Sequence, residues 1–312
     1  MENIISDISA KELATGDIFR LISEAFDVAC DTDGRDVIVK GDVALNVVRA
    51  SDALKSLSDL LSDGNQIDRR TVDYMIYLAG QGKIEEFMRS SEEVFYTTPT
   101  GRQIRAKTLG QRIYLDSIRH HDLVICSGPA GSGKTFLSVA MAVKAFRNRE
   151  VSRIILTRPA LEAGERLGFL PGDIEEKVNP YMRPIYDALN IMLGEELALR
   201  YYEKGLIEVS PLAFMRGRNL DDCFVILDEA QNTTTEQMKM FLTRLGINCK
   251  ACVCGDFTQI DLPRGIKDGL HDAIDVVDGV EGIKIVSLHN YDIVRNSLVQ
   301  RIVEAYENRG SL

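Results

Sequence analysis

No stretch of the 312 residues approaches the roughly 18 consecutive apolar positions of a membrane span, so the sequence predicts no membrane partner. The start, Met1 to Asp7, has no basic region leading into an apolar core, and the expectation is a cytoplasmic protein. Cysteine is scarce. Six in a chain of this size do not make a secreted disulfide framework. Cys249, Cys252 and Cys254 are closely spaced, but no second Cys/His pair lies near to complete a tetrahedral metal site, and the run around them reads as a buried strand. The four histidines have no nucleophile or metal partner in sequence. A net charge of −10 excludes a generally polyanion-binding surface, so any nucleic-acid site must be local. There is no internal repeat and no low-complexity tract.

Against these absences stands one dense motif. Gly128-Pro129-Ala130-Gly131-Ser132-Gly133-Lys134-Thr135 fills every fixed position of a G-x-x-x-x-G-K-[ST] phosphate loop. Its glycines let consecutive N–H groups turn toward phosphate oxygens, Lys134 adds a charge at the β- and γ-phosphates, and the Thr135 hydroxyl can ligate Mg²⁺. A Gly-rich turn is the bland alternative. Context argues against it: the apolar run Leu123 to Cys126 predicts a buried parallel strand before the loop, and Lys134 to Arg147 predicts a buried helix after it.

Further apolar runs at Arg153–Leu156, Leu206–Val209, Phe224–Leu227, Ala251–Cys254 and Ile283–Leu288 alternate with helical segments. That alternation predicts a parallel sheet with helices on both faces and ligands at the carboxyl ends of its strands. Residues 1–94 read as a separate small α+β domain. Its helical spacing runs from Leu13 to Phe26, its strands are Val28–Cys30 and Asp36–Lys40, and helices follow through Val43–Leu60 and from Asp68. A hairpin over Phe95–Ile104, with a Pro/Gly turn, opens the second domain, 95–312. The basic stretch Arg102, Arg105, Lys107, continued by Arg112 and Arg119, is either a nucleic-acid contact or a solvated basic face.

Phe224–Leu227 delivers adjacent carboxylates, Asp228 and Glu229. Asp228 can hold the Mg²⁺ shell and Glu229 can take a proton from attacking water. Such a pair can instead cap a helix, but Thr233-Thr234-Thr235-Glu236 can supply that cap itself.

Asp228-Glu229-Ala230-Gln231 and Gly255-Asp256-Phe257-Thr258-Gln259 resemble motifs II and III of superfamily 1 helicase motors. The segment Thr157-Arg158-Pro159 through Gly172 resembles the hallmark of the PhoH family of ATPases, and the likeness spans Thr108 to Tyr306. It implies a RecA-like P-loop ATPase domain that hydrolyses ATP with Mg²⁺. It also implies that Gln111 contacts adenine, that Gln259 senses the γ-phosphate and positions water, and that Arg158 lies where such motors hold single strands. Arg295, in the C-terminal family motif, is implied to complete a neighbour's site in trans within a hexameric ring; a surface arginine at a helix start is its bland reading. Single-stranded RNA, an endoribonuclease and a ribosome-associated partner are implied ligands. The N-terminal domain resembles a KH-like module, but no G-x-x-G joins two helices between Glu12 and Leu61, so RNA binding and an adaptor or oligomerisation role both stand. A small-molecule or nucleotide kinase and an ATP-gated RNA scaffold are the rival functions. No Asn-Lys-x-Asp follows the acidic strand, which argues against GTP.

Overall fold

A computed structural model describes residues 1–6, 8–14, 17–62, 67–91, 93–159, 174–263, 265–294, 299 and 302. Two compact units divide between Glu92 and Glu93. The first contains strands β1 (Glu2–Ile5), β2 (Ala29–Thr32) and β3 (Val37–Lys40) and helices α1 (Ala10–Leu13), α2 (Ile18–Phe26), α3 (Ala44–Ser62), α4 (Arg69–Gln81) and α5 (Ile84–Ser91). The strands form an antiparallel sheet in the order β1-β3-β2. Ile5, Leu13, Ile22, Val37, Val39, Leu54, Leu57 and Met75 are buried. Strand β1 is not legible in the sequence, because Glu2-Asn3-Ile4-Ile5 does not alternate apolar with polar residues. The helical spacing from Leu13 to Phe26 divides between α1 and α2.

The second unit opens with the expected hairpin, β4 (Tyr96–Thr97) and β5 (Gln103–Ile104), followed by α6 (Leu109–His120). Then come β6 (Leu123–Ser127), α7 (Lys134–Arg147), β7 (Arg153–Arg158), α8 (Ile174–Leu193), α9 (Glu195–Glu203), β8 (Ile207–Pro211), β9 (Cys223–Leu227), α10 (Thr235–Leu242), β10 (Lys250–Gly255), α11 (Gly269–Val277) and β11 (Ile283–Ser287). The sheet is wholly parallel, in the order β11-β6-β10-β9-β7-β8.

Strand residues alternate between two cores, as a pleat buried on both faces requires. Val124, Cys126, Leu156, Phe224, Ile226, Cys252 and Cys254 pack with side chains of α6, α7, α8 and α9. Ile125, Ile155, Val225, Leu227 and Val253 pack on the other face with Met238, Phe241, Leu270 and Ala273 of α10 and α11. Helices thus cover both faces, as the alternation predicts. Strand β10 stands between the phosphate-loop strand β6 and the acidic strand β9, which is the RecA-like order. The loop after β6 and the carboxylates after β9 therefore converge above the tip of β10.

Candidate active site

The apolar strand β6 ends at Ser127 and the chain turns at once into the phosphate loop. Gly133 sits at φ +88° as the N-cap of α7, a left-handed conformation open to glycine without strain. The Lys134 ammonium donates to the carbonyls of Gly128 at 2.6 Å and Pro129 at 3.0 Å. It therefore lies folded over the loop that it would share with phosphate. A cleft of about 240 Å³ opens there, lined among others by Lys134, Thr135, Asp228, Glu229, Asp256 and Gln259.

From β9 comes the second wall. Asp228 is buried, with its carboxylate accepting from the Thr135 hydroxyl at 2.6 Å through Oδ1. Its Oδ2 accepts from the Arg158 guanidinium at 2.9 and 2.5 Å. Thr135 and Asp228 are hard oxygen donors meeting at one point. Mg²⁺ is held in this way by one or two protein oxygens, the rest of its shell being phosphate and water, so the residues fit that ion. No cluster of three or more His, Cys, Asp or Glu side chains suited to a metal occurs among the described residues.

Glu229 stands at φ +54°, an uncommon conformation for a residue with a Cβ and one concentrated at functional sites. Its side chain remains 40% exposed. Gln231 aims it, donating from Nε2 to Glu229 Oε2 at 2.7 Å and to the Gln259 carbonyl at 3.1 Å. The other end of the Gln231 amide accepts from Asp256 N–H at 2.9 Å. One buried amide thus ties the tip of β9 to the tip of β10. Gln259 lines the cleft and donates to Asp256 Oδ2 at 2.8 Å. Thr234, with Gln237, forms the capping box of α10, so the carboxylates at 228 and 229 are not spent on that helix.

Two side chains singled out from the sequence are held within the protein. Gln111 is 4% exposed, accepting from Lys107 N–H at 2.9 Å and donating to the Ser132 carbonyl at 2.9 Å. Arg158 does not stand on an open polymer-binding face. Only 14% of its side chain is exposed, and it neutralises Asp228. Arg295 lies outside the described residues, as do 160–172 of the hallmark segment.

Within the basic stretch, Arg102, Arg105 and Lys107 are exposed, following the alternation of β5 and the residues after it. Arg112 and Arg119 are consumed locally. Both pair with Glu93 and Asp116 and lie over the Phe95 ring. Of the cysteines, Cys252 and Cys254 are buried on β10, where burial raises the Cys252 thiol well above its usual range and pushes Cys254 up to about 12. Such thiols stay protonated and pack as small hydrophobes.

Asp292 escaped the sequence reading. Buried in a short turn after β11, it accepts from the Thr108 hydroxyl at 2.5 Å and from His289 N–H at 2.8 Å. Gly110 makes room for it, since a Cβ there would lie 2.5 Å from Asp292 Oδ1. No local pattern marks a partner 184 positions away.

The PhoH-like protein family matches residues 103–307 of this chain. A PhoH-like protein of Bacillus subtilis (strain 168) is 48% identical over 290 residues, covering 93% of this chain and 91% of that one. Another, from Synechocystis sp., is 48% identical over 274 residues, covering 88% and 83%. Among solved structures, the Pif1 helicase from Candida albicans is similar at 15% identity and a TM-score of 0.35, over 66% of this chain and 44% of that one. The UvsW helicase from bacteriophage T4 is similar at 11% and 0.38, over 64% and 66%. Likenesses of that size carry no function across. No helix among the described residues is long and apolar enough to cross a membrane.

Proposed function

The chain belongs to the PhoH-like protein family, and from that premise we propose that it is a Mg²⁺-dependent ATP hydrolase coupled to RNA. The observation that carries the reading is the Thr135–Asp228 hydrogen bond. It brings the hydroxyl of the phosphate loop onto the first carboxylate of β9, beside Lys134 and Glu229, in one cleft.

In the proposed reaction the loop N–H groups and Lys134 hold the β- and γ-phosphates. Thr135 and Asp228 hold Mg²⁺, which when bound neutralises charge on the phosphate oxygens. Glu229, aimed by Gln231, takes the proton of a water attacking the γ-phosphorus, and Gln259 orients that water. The bond to the leaving β-phosphate oxygen breaks, giving ADP and phosphate. Arg158 keeps the Asp228 carboxylate balanced and oriented before Mg²⁺ arrives.

Support for an RNA ligand comes from the exposed Arg102, Arg105 and Lys107 on a chain that is otherwise acidic. A hexameric ring with Arg295 reaching a neighbour's γ-phosphate, cytoplasmic location, and work beside an endoribonuclease or ribosome-associated partner all follow from the family motifs. The test is phosphate release from ATP and from GTP, with and without single-stranded RNA, alongside the native mass. Release from ATP without any acceptor, raised by RNA, is expected. ATP bound tightly with no phosphate released, even with RNA, overturns the hydrolase in favour of a scaffold; phosphate transfer only to an added acceptor overturns it in favour of a kinase.

A further inference from the structure

The phosphate loop is held from outside at two successive carbonyls. Gln111 Nε2 donates to the Ser132 carbonyl at 2.9 Å, and Val294 N–H donates to the Gly131 carbonyl at 2.9 Å. In a trans peptide the C=O of one residue and the N–H of the next point in opposite directions. Anchoring the Ser132 carbonyl on Gln111 therefore directs the Gly133 N–H away from helix α6. Gly133 lines the cleft, so that N–H belongs to the anion-binding face of the loop.

The anchor is itself anchored. Gln111 Oε1 accepts from Lys107 N–H at 2.9 Å, and its backbone N–H donates to the Thr108 hydroxyl oxygen at 3.1 Å. Thr108 in turn donates to Asp292 at 2.5 Å. Asp292 stands two residues before Val294, the donor of the other tie. Gly133 permits the approach, because a Cβ there would lie 3.3 Å from Gln111 Nε2. Both amide ends thus rest on backbone, and almost none of the side chain is exposed.

We propose that Gln111 is a positioning residue that preorganises the phosphate loop. This rests on the nucleotide-binding reading of the same cleft. It follows that Gln111 supports the binding of any triphosphate alike.

Calorimetric titration of the full chain with ATP, GTP and inorganic tripolyphosphate, each with Mg²⁺, tests this in wild type, Gln111→Ala and Gln111→Glu. Losing the loop hydrogen bond should weaken all three ligands by about tenfold and leave the ATP-to-GTP ratio unchanged. Gln111→Glu keeps the acceptor for Lys107 N–H while setting an oxygen against the Ser132 carbonyl, so it probes the tie even where the alanine variant folds poorly. A loss confined to ATP, with GTP and tripolyphosphate held as tightly as before, overturns the proposal. Unchanged affinity for all three in folded Gln111→Glu also overturns it. A wild-type chain that binds none of the three overturns the nucleotide reading itself, and the positioning role with it.

Discussion

The Thr135 hydroxyl and the Asp228 carboxylate, 93 positions apart, meet at 2.6 Å. Lys134 and Glu229, their immediate neighbours in sequence, are thereby set on opposite walls of one cleft, and their roles separate cleanly. Lys134→Ala should weaken triphosphate binding. Glu229→Gln should preserve binding and lower turnover by about 10²–10⁴-fold, since shape is kept and the base is lost. Equilibrium nucleotide binding and single-turnover hydrolysis on both variants check this, and near wild-type hydrolysis by Glu229→Gln removes Glu229 as the base.

Arg158 and the exposed Arg102, Arg105 and Lys107 should behave differently when neutralised. Arg158→Ala leaves the buried Asp228 carboxylate without its cation, and a broken buried pair costs about 3 kcal/mol. Mg²⁺ with nucleotide should return part of that stability. The triple alanine at 102, 105 and 107 should leave ATP affinity intact and flatten the salt dependence of RNA binding. Thermal unfolding with and without Mg²⁺–ATP, and RNA titrations across salt, check the pair. An Arg158→Ala chain as stable as wild type contradicts the counter-ion role, and an unchanged salt slope removes the basic stretch from the RNA site.

If Arg295 completes a neighbour's site, Arg295→Ala and Lys134→Ala chains should each be inactive alone and partly active when mixed. A heterologous contact can then join an intact loop to an intact arginine. Full activity of a diluted monomer contradicts a site shared between subunits.

Glu93 gives a pH-dependent test. The Arg119 hydrogen bond, with Arg112 beside it, holds the Glu93 carboxyl below its usual 4.5. A carboxyl depressed by folding adds stability that is full above the unfolded value and is lost as pH falls through the folded one. With 35% of the side chain exposed, solvent screening keeps the contribution to about 1 kcal/mol or less. Glu93→Gln should be less stable than wild type at pH 7 and should approach it below about pH 4. Urea unfolding from pH 7 to pH 3 measures this; parallel curves over that range rule it out.

Much of the site is legible before any coordinate. The phosphate loop, the acidic pair at 228 and 229 and the strands that carry them are contiguous runs, whose glycine conformations and buried apolar stretches are local properties of the chain. Parallel alternation and helices on both faces follow from the same runs. What Gln111, Arg158 and Asp292 do is not local. Gln111 reaches Ser132 across 21 positions, Arg158 reaches Asp228 across 70, and Thr108 reaches Asp292 across 184. Those partners depend on the strand order, which sets β10 between β6 and β9 and β7 beside β9. Sequence by itself determined which groups could bind a triphosphate. Only the tertiary structure decided which of them face the cleft and which hold its walls, because a buried amide or guanidinium must satisfy its hydrogen bonds with whatever the packing brings near.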